Sequence, residues 1–170
     1  DSVLLDFCYG LTKFLNSEGI CTKHVNHLIG TTQFIPTNEM TKIDCKQTNK
    51  SLMNKFADTD WLERLPAFQE EAIAYLKELS EHYNIVVLTC IGETDDIVQM
   101  RTKNLVDLYG DIFSGVVCIN YGTSKEVYLE AMHNAFGVTA FVDDRTGHIT
   151  EALNAGVQPI LFSRGVEDCT

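Results

Sequence analysis

Two adjacent carboxylates, Asp143 and Asp144, follow a short apolar run at residues 140–142. Such a run is typical of a buried parallel strand, and open α/β sheets bind their ligands beyond the carboxyl ends of these strands. Two neighbouring carboxylates repel each other unless a cation lies between them. Two interpretations are open at this point: an oxygen-ligand site for a hard divalent cation, or a polar loop in which Asp144 caps the next helix.

Thr89 and Lys125 occupy comparable places elsewhere in the chain. Thr89 ends an apolar run at residues 85–88 and precedes a loop, residues 90–92, whose backbone N–H groups are available to an anion. Lys125 lies in the predicted first turn of a helix, where a cation opposes the helix dipole, so it is either a surface residue or a lysine directed at a bound anion. A hydroxyl, an ammonium and metal-binding carboxylates around one point are the groups that phosphoryl transfer requires, because charge spreads over the phosphoryl oxygens as the bond breaks.

From residue 66 onward, helical and extended patterns alternate along the chain. A capping box of Thr123 and Glu126 marks the start of one helix. The alternation predicts βαβ units, and hence an α/β fold with a doubly wound, Rossmann-like parallel sheet between two layers of helices. The apolar spacing predicts helices at 66–82, 94–109, 123–136 and 148–155, and strands at 85–88, 115–119, 139–142 and 160–162.

The first third of the chain has a different character. Apolar residues at helical spacing predict a helix within residues 3–18, which Gly19 ends. Residues 20–62 are polar and irregular, with short helical pieces at 22–28 and 49–56. This stretch predicts a small helical cap inserted after the first motif of an α/β core. The predicted core comprises residues 1–19 and 63–170.

The composition indicates which binding partners and which cellular compartment to expect. The 170 residues carry a net charge of −11, which repels duplex nucleic acid, although helix N-termini and a metal can still attract a small anion. No apolar run approaches the roughly 18 residues of a membrane helix, and no signal-like segment begins the chain. The six cysteines are scattered without a C-x-x-C pair. We therefore expect a reducing, cytoplasmic compartment and no membrane partner.

The order of these residues resembles that of the haloacid dehalogenase-like phosphohydrolases: a strand ending in Thr89, then Lys125 on a helix, then Phe-Val-Asp-Asp at residues 141–144. Within that superfamily the chain resembles the 5′(3′)-deoxyribonucleotidase branch, whose first motif has the form Asp-x-Asp-Gly-Val-Leu. Residues 1–7, Asp-Ser-Val-Leu-Leu-Asp-Phe, match that motif from its second aspartate onward. The resemblance covers nearly the whole chain and is weakest across residues 20–60. Further similar stretches are 65–66, 76–79, 99–101 and 109–113.

The resemblance implies that the catalytic residues are Asp1, Thr89 and Lys125. The nucleophile would be an aspartate two residues before Asp1, and it would form an aspartyl-phosphate that water then hydrolyses. Asp1 would be the general acid for the leaving alkoxide and then the general base for the water. Thr89, the backbone N–H of Cys90 and the ammonium of Lys125 would hold the phosphoryl oxygens.

The same resemblance implies Mg²⁺ as the cofactor. Asp1 would bind the metal through its backbone carbonyl and Asp143 would bind it directly. Asp144 would bind it through a water molecule or would orient Lys125 instead.

The position of the first strand decides where the nucleophile lies. In the favoured register this strand precedes Asp1. Because the family's sheet places it in the middle, its absence would leave two half-sheets with exposed edges. A rival register makes residues 2–5 the strand and Asp6 the nucleophile. That register puts Cys8 where the second aspartate belongs and leaves a strand of only four residues.

The expected activity is Mg²⁺-dependent hydrolysis of a small phosphomonoester, above all a (deoxy)nucleoside monophosphate, as a 5′-nucleotidase. Another phosphomonoester such as a sugar phosphate stays open. So does a non-catalytic member that binds a phosphorylated ligand or a protein, if the nucleophile is absent. A homodimer is open as well. In the cap, Phe34, Phe56 and Trp61 are either contacts for the leaving group or core residues of the cap.

Overall fold

Four strands lie in the part of the chain that the computed structural model describes, residues 2–28 and 37–162. β1 pairs in parallel with β2, and β3 pairs in parallel with β4. Each pair is connected through a helix, which confirms the predicted α/β class with Rossmann-like connections. The strands are β1 (Ile85–Cys90), β2 (Phe113–Ile119), β3 (Ala140–Asp143) and β4 (Gln158–Leu161).

The two strand pairs belong to two units of the chain, Asp1–Tyr121 and Gly122–Thr170. Within the described residues, Leu5 makes only an isolated antiparallel bridge with Ala67. Residues 2–5 therefore do not supply the parallel strand that the rival register requires.

The first unit contains five α-helices in its described residues. Asp6 precedes α1 and accepts a hydrogen bond from the backbone N–H of Tyr9 at 2.9 Å, so it acts as a helix cap rather than as a strand-end carboxylate. Asp58 follows α3 as its C-terminal cap. The helices are α1 (Phe7–Ser17), α2 (Thr37–Thr41), α3 (Lys46–Ala57), α4 (Glu71–Ser80) and α5 (Asp95–Tyr109), with 3₁₀ turns at Asn26–Leu28 and Leu62–Arg64.

Helices α1 and α4 both begin later than the periodicity predicts. The N–H of Asp6 donates to the carbonyl of Pro66 at 2.9 Å, and the N–H of Phe68 donates to the carbonyl of Leu4 at 2.8 Å. These long-range hydrogen bonds hold both segments extended, because the same N–H groups cannot also serve a helix. The helical piece predicted at 22–28 is likewise reduced to a short 3₁₀ turn.

One apolar cluster fills the first unit. It joins residues from α1, α3 and α5, so the predicted cap segment contributes to the same cluster as the first helix. The ring of Phe56 lies 5.4 Å from the rings of both Phe7 and Phe14. The division into a core of residues 1–19 and 63–170 and a cap of 20–62 stays a prediction.

Two helices complete the second unit, α6 (Glu126–Phe136) and α7 (Thr146–Asn154). The predicted capping box at the start of α6 is wrong. The helix begins after Lys125, and the N–H of Glu126 donates to the hydroxyl of Ser124 at 3.2 Å. Gly137 ends α6 with a φ of +68°, a left-handed conformation that glycine adopts without strain. Across residues 2–28 and 37–162, no helix is long and apolar enough to cross a membrane.

Candidate functional site

A buried ion pair joins the end of β3 to the start of α6. The ammonium of Lys125 lies 2.8 Å from Oδ2 of Asp143, and these residues are only 4% and 5% exposed. The apolar residues of β3 carry the chain to Asp143 at its carboxyl end, while Lys125 immediately precedes α6. Burying two opposite charges is costly unless each is well paired, which indicates that this contact is specifically built.

The second oxygen of Asp143 is also engaged. Oδ1 accepts a hydrogen bond from the backbone N–H of Arg145 at 2.9 Å and lies 3.0 Å from Nδ1 of His148. Burial alone would raise the pKa of the Asp143 carboxyl. The hydrogen bond with His148 and the charge of Lys125 outweigh that effect and hold the pKa of Asp143 well below its usual range. Asp143 is therefore a carboxylate at neutral pH.

Helix α7 supplies two site residues that the sequence analysis missed. His148 contacts Asp143, and the carboxylate of Glu151 accepts a hydrogen bond from the backbone N–H of Lys125 at 2.9 Å. His148 and Glu151 lie three residues apart on the helix that follows Asp143, which places them on one face. That spacing, directly after the paired carboxylates, was the available signal. The ammonium of Lys125 also lies 5.0 Å from the ring centroid of Phe141, a cation–π contact.

Thr89 and Cys90 lie at the carboxyl end of β1, in the first unit. Thr89 is 2% exposed and Cys90 is half-buried. The sequence analysis expects the N–H groups of residues 90–92 to be available to an anion. For Gly92 this is wrong, because its N–H donates to the carbonyl of Ile119 at 3.0 Å.

A small cleft of about 20 Å³, room for roughly one water molecule, lies beside this strand end. Cys90 lines it together with the aromatic residues Phe7, Phe56 and Tyr121. Phe56, a predicted leaving-group contact, is thus both part of the apolar cluster and part of the cleft wall. Phe34 lies outside the described residues.

The predicted site residues are placed as follows. Lys125 and Asp143 are in direct contact, and Asp144 follows Asp143 in a half-buried position. Thr89 and Cys90 belong to the end of β1, and their phosphate-binding role stays a prediction. Asp1 lies outside the described residues.

The carboxylates at the end of β3 suit Mg²⁺ better than a metal whose ligands all come from the protein. Carboxylate oxygens are the ligands that this hard cation prefers, and it commonly uses only one or two of them while keeping several waters. The part of the chain open to description holds no group of three or more His, Cys, Asp or Glu residues arranged for a metal ion. Asp143 and Asp144 are the carboxylates that could hold Mg²⁺ in this unit.

Comparison with known proteins adds one sequence relative. No protein-family model matches the chain. Over 169 residues, 99% of its length, it is 25% identical to the uncharacterized 32.4 kDa protein in the Gp30-rIII intergenic region of Enterobacteria phage T4. The chain spans 60% of the length of that relative.

Two solved structures share the architecture. A hydrolase from Streptococcus pneumoniae matches with a TM-score of 0.57 and 16% identity, covering 94% of this chain and 87% of that one. A HAD family enzyme from Bacteroides thetaiotaomicron, solved as a magnesium complex, matches with a TM-score of 0.53 and 16% identity, covering 99% and 92%. The chain shares the fold of these two proteins. This likeness establishes the fold, and the activities and the metal belong to those two proteins.

Proposed function

We propose that the protein is a Mg²⁺-dependent phosphatase for small phosphomonoesters, with (deoxy)nucleoside monophosphates as its substrate class. The observation that carries the proposal is the buried Lys125–Asp143 pair at the carboxyl end of a parallel strand in a HAD-like fold. Ligands of such sheets bind at that end of the strands. A buried lysine and carboxylate there can serve charge stabilisation at a phosphoryl group.

The chemistry proposed uses two carboxylates of the first motif. An aspartate two residues before Asp1 would attack the phosphorus in line, forming a P–O bond as the bond to the leaving alkoxide breaks. Asp1 would donate a proton to that alkoxide. Asp1 would then take a proton from water as the water's oxygen attacks phosphorus, which releases inorganic phosphate and restores the nucleophile.

Other residues would bind and neutralise the phosphoryl group. Thr89, the N–H of Cys90 and the ammonium of Lys125 would hold its oxygens. Mg²⁺, when bound, would supply positive charge opposite the developing negative charge. Asp1, Asp143 and Asp144 would hold the metal, with Asp143 shared between it and Lys125.

The proposed substrate class rests on the aromatic residues beside the end of β1. Phe7 and Tyr121 line the small cleft there and are partly exposed, so their rings offer apolar and stacking surface, whereas Phe56 is fully buried. A nucleoside presents a planar, partly apolar group, whereas a sugar phosphate does not. This supports the nucleotidase assignment within the proposal.

A second candidate function is binding of a phosphorylated ligand without turnover. It is favoured by the pairing of Asp143, whose two oxygens already contact Lys125, Arg145 and His148. Such a pair is electrostatically satisfied before any metal arrives.

A substrate panel separates these functions. The full-length protein is assayed for phosphate release from nucleoside, deoxynucleoside and sugar phosphates, with Mg²⁺ and with a chelator. We expect release only with Mg²⁺ and fastest for the nucleoside phosphates. Release that survives the chelator would contradict the mechanism, and preference for sugar phosphates would contradict only the substrate class. Saturable binding of a phosphorylated ligand without any release would favour the second candidate.

A further inference from the structure

Helix α7 carries three polar side chains at intervals of three residues, and each contacts the neighbouring elements of its unit. His148 contacts Oδ1 of Asp143 at 3.0 Å, and Glu151 accepts from the N–H of Lys125 at 2.9 Å. Asn154 donates to the carboxylate of Glu126 at 3.0 Å. One face of α7 thus fixes the end of β3 and the first residues of α6.

Glu151 contacts the residue that precedes α6, a helix start without a side-chain cap. Lys125 occupies the cap position before α6, with φ −80° and ψ −13°, and its side chain makes no capping hydrogen bond. Its backbone N–H is instead bound by a carboxylate from a different helix. A negative charge at a helix N-terminus is favourable, so Glu151 stabilises this start while the side chain of Lys125 turns to Asp143.

The contact of His148 constrains the carboxylate of Asp143, the other member of the ion pair. Nδ1 of His148 lies 3.0 Å from Oδ1, and because a carboxylate oxygen accepts hydrogen bonds, this contact places Nδ1 as the donor. The N–H of Arg145 donates to the same oxygen. Two donors on Oδ1 orient the carboxylate so that Oδ2 faces the ammonium of Lys125.

We propose that His148 and Glu151 are positioning residues that set the geometry of the Lys125–Asp143 pair. Glu151 fixes the backbone of Lys125 and His148 fixes the carboxylate of Asp143, so one helix controls both charges. The inference deepens the proposed phosphatase function and, for its kinetic consequences, rests on it. Asn154 makes the same kind of contact but to Glu126, which is outside the pair, and therefore provides a built-in control.

The test for Glu151 combines amide hydrogen exchange with steady-state kinetics in the full-length protein. Glu151→Ala removes the acceptor, whereas Glu151→Gln keeps an amide oxygen that can accept the same hydrogen bond. Asn154→Ala removes the contact to Glu126. Thr150→Ala alters an exposed residue of the same helix, whose hydroxyl bonds only within α7 to Thr146.

In Glu151→Ala we expect the Lys125 amide to exchange about tenfold faster, the scale of one typical hydrogen bond. The Leu129 amide, which donates to the carbonyl of Lys125 inside the helix at 2.9 Å, should keep its rate if α6 stays folded. The turnover number should fall about tenfold with KM unchanged, the effect of losing a residue that orients a site group. Glu151→Gln should restore both, and the Asn154 and Thr150 variants should match the wild type.

The test for His148 uses the amide of Arg145 as its reporter. His148→Ala frees the carboxylate of Asp143 to rotate, so exchange at Arg145 should accelerate and turnover should fall. His148→Asn can place an amide N–H near the position of Nδ1 and should restore both.

Separate results overturn the inference and the proposed function. An unchanged Lys125 exchange rate in Glu151→Ala, or unchanged turnover despite faster exchange, would overturn the positioning role. Equal losses in the Asn154 variant would overturn it too, since the effect would then be general to α7. A wild-type protein that hydrolyses no phosphomonoester would overturn the proposed function, while the exchange rates would still decide whether α7 positions the pair.

Discussion

The two units of the chain bury different kinds of side chain. In Asp1–Tyr121 the fully buried positions are mostly large apolar residues such as Phe14, Phe56 and Leu65, with Arg101 as a buried charge among them. In Gly122–Thr170 the buried apolar residues of the described part are mostly small, and Lys125 and Asp143 are buried beside them. Apolar burial stabilises a fold in proportion to area, whereas a buried ion pair loses most of its Coulomb energy to desolvation. The second unit therefore buries an ion pair that stability alone does not favour, which is in line with the function proposed above.

The largest effect is expected when the ion pair is broken from the lysine side. Lys125→Ala should lower turnover by about 10²–10³-fold, the scale of losing one preorganised charge-stabilising group. It should also lower the free energy of unfolding by about 3–5 kcal/mol, because Asp143 is left buried without its cation. Steady-state kinetics and urea unfolding measure the two losses. Lys125→Arg should not restore full turnover, since a planar guanidinium replaces a compact charge. Normal turnover in both variants would remove Lys125 from the site.

The matching disruption of the first unit should affect stability alone. Phe56→Ala removes a fully buried ring that packs on Phe7 and Phe14, so the free energy of unfolding should fall by about 3–5 kcal/mol. Phe56→Leu keeps most of the volume and should cost less. Urea unfolding with and without Mg²⁺ should give the same loss. A Phe56→Ala loss that Mg²⁺ reverses would contradict the separation of this apolar cluster from the proposed metal site.

A smaller stability effect is expected at Asp143. Repulsion with Asp144 taken alone would make Asp143→Asn slightly stabilising, but the contacts with Lys125 and His148 reverse the sign. The variant should be less stable by about 1–3 kcal/mol, because charge-assisted hydrogen bonds are lost. It should also lose Mg²⁺ binding in titration calorimetry while remaining folded. Unchanged Mg²⁺ binding would show that Asp143 is not a ligand.

The smallest effects are expected in the pH dependence of stability, which should differ between the two units. The lowered pKa of Asp143 gives stability that is present above its unfolded value of about 3.9 and is lost as pH falls through the folded value. Burial raises the pKa of Tyr109 in the first unit to about 12. Its contribution is present below the unfolded value of about 10 and is lost as pH rises toward 12, by at most about 1.4 kcal/mol per pH unit.

Unfolding in metal-free buffer across both pH ranges measures these contributions. The acid-side loss should shrink in Asp143→Asn, and the alkaline-side loss should shrink in Tyr109→Phe. If each variant instead altered the opposite side, the assignment of these titrations to Asp143 and Tyr109 would be wrong.

Much of the fold could be predicted because its signals are local. The strands from Ile85 onward are short apolar runs, and Gly110 and Gly137 stand where α5 and α6 end. The misses have non-local causes. The starts of α1 and α4 are set by hydrogen bonds between residues about 60 positions apart, and the start of α6 is set by Glu151 from the next helix. Periodicity within a window carries no information about such partners.

The assignment of the site residues stays a prediction, while the structure shows the contacts that two of them make. The misplacement of Lys125 against the helix dipole indicated an anion, and in the structure Asp143 is the anion it contacts. The signal for His148 and Glu151 was weak, since a three-residue spacing of polar residues is common on amphipathic helices. Their role becomes visible only when β3, α6 and α7 are packed together.

A double replacement tests the central claim most directly, that the buried pair serves phosphoryl transfer rather than stability. Lys125→Met combined with Asp143→Leu replaces both charges by apolar groups of similar size, a change that often leaves stability equal or higher. We predict a full-length variant that stays folded, with its unfolding free energy lowered only by the hydrogen bonds that Arg145 and His148 lose, and with no measurable phosphate release in the presence of Mg²⁺. Phosphate release at the wild-type rate would contradict the claim and make the pair a structural feature of the second unit.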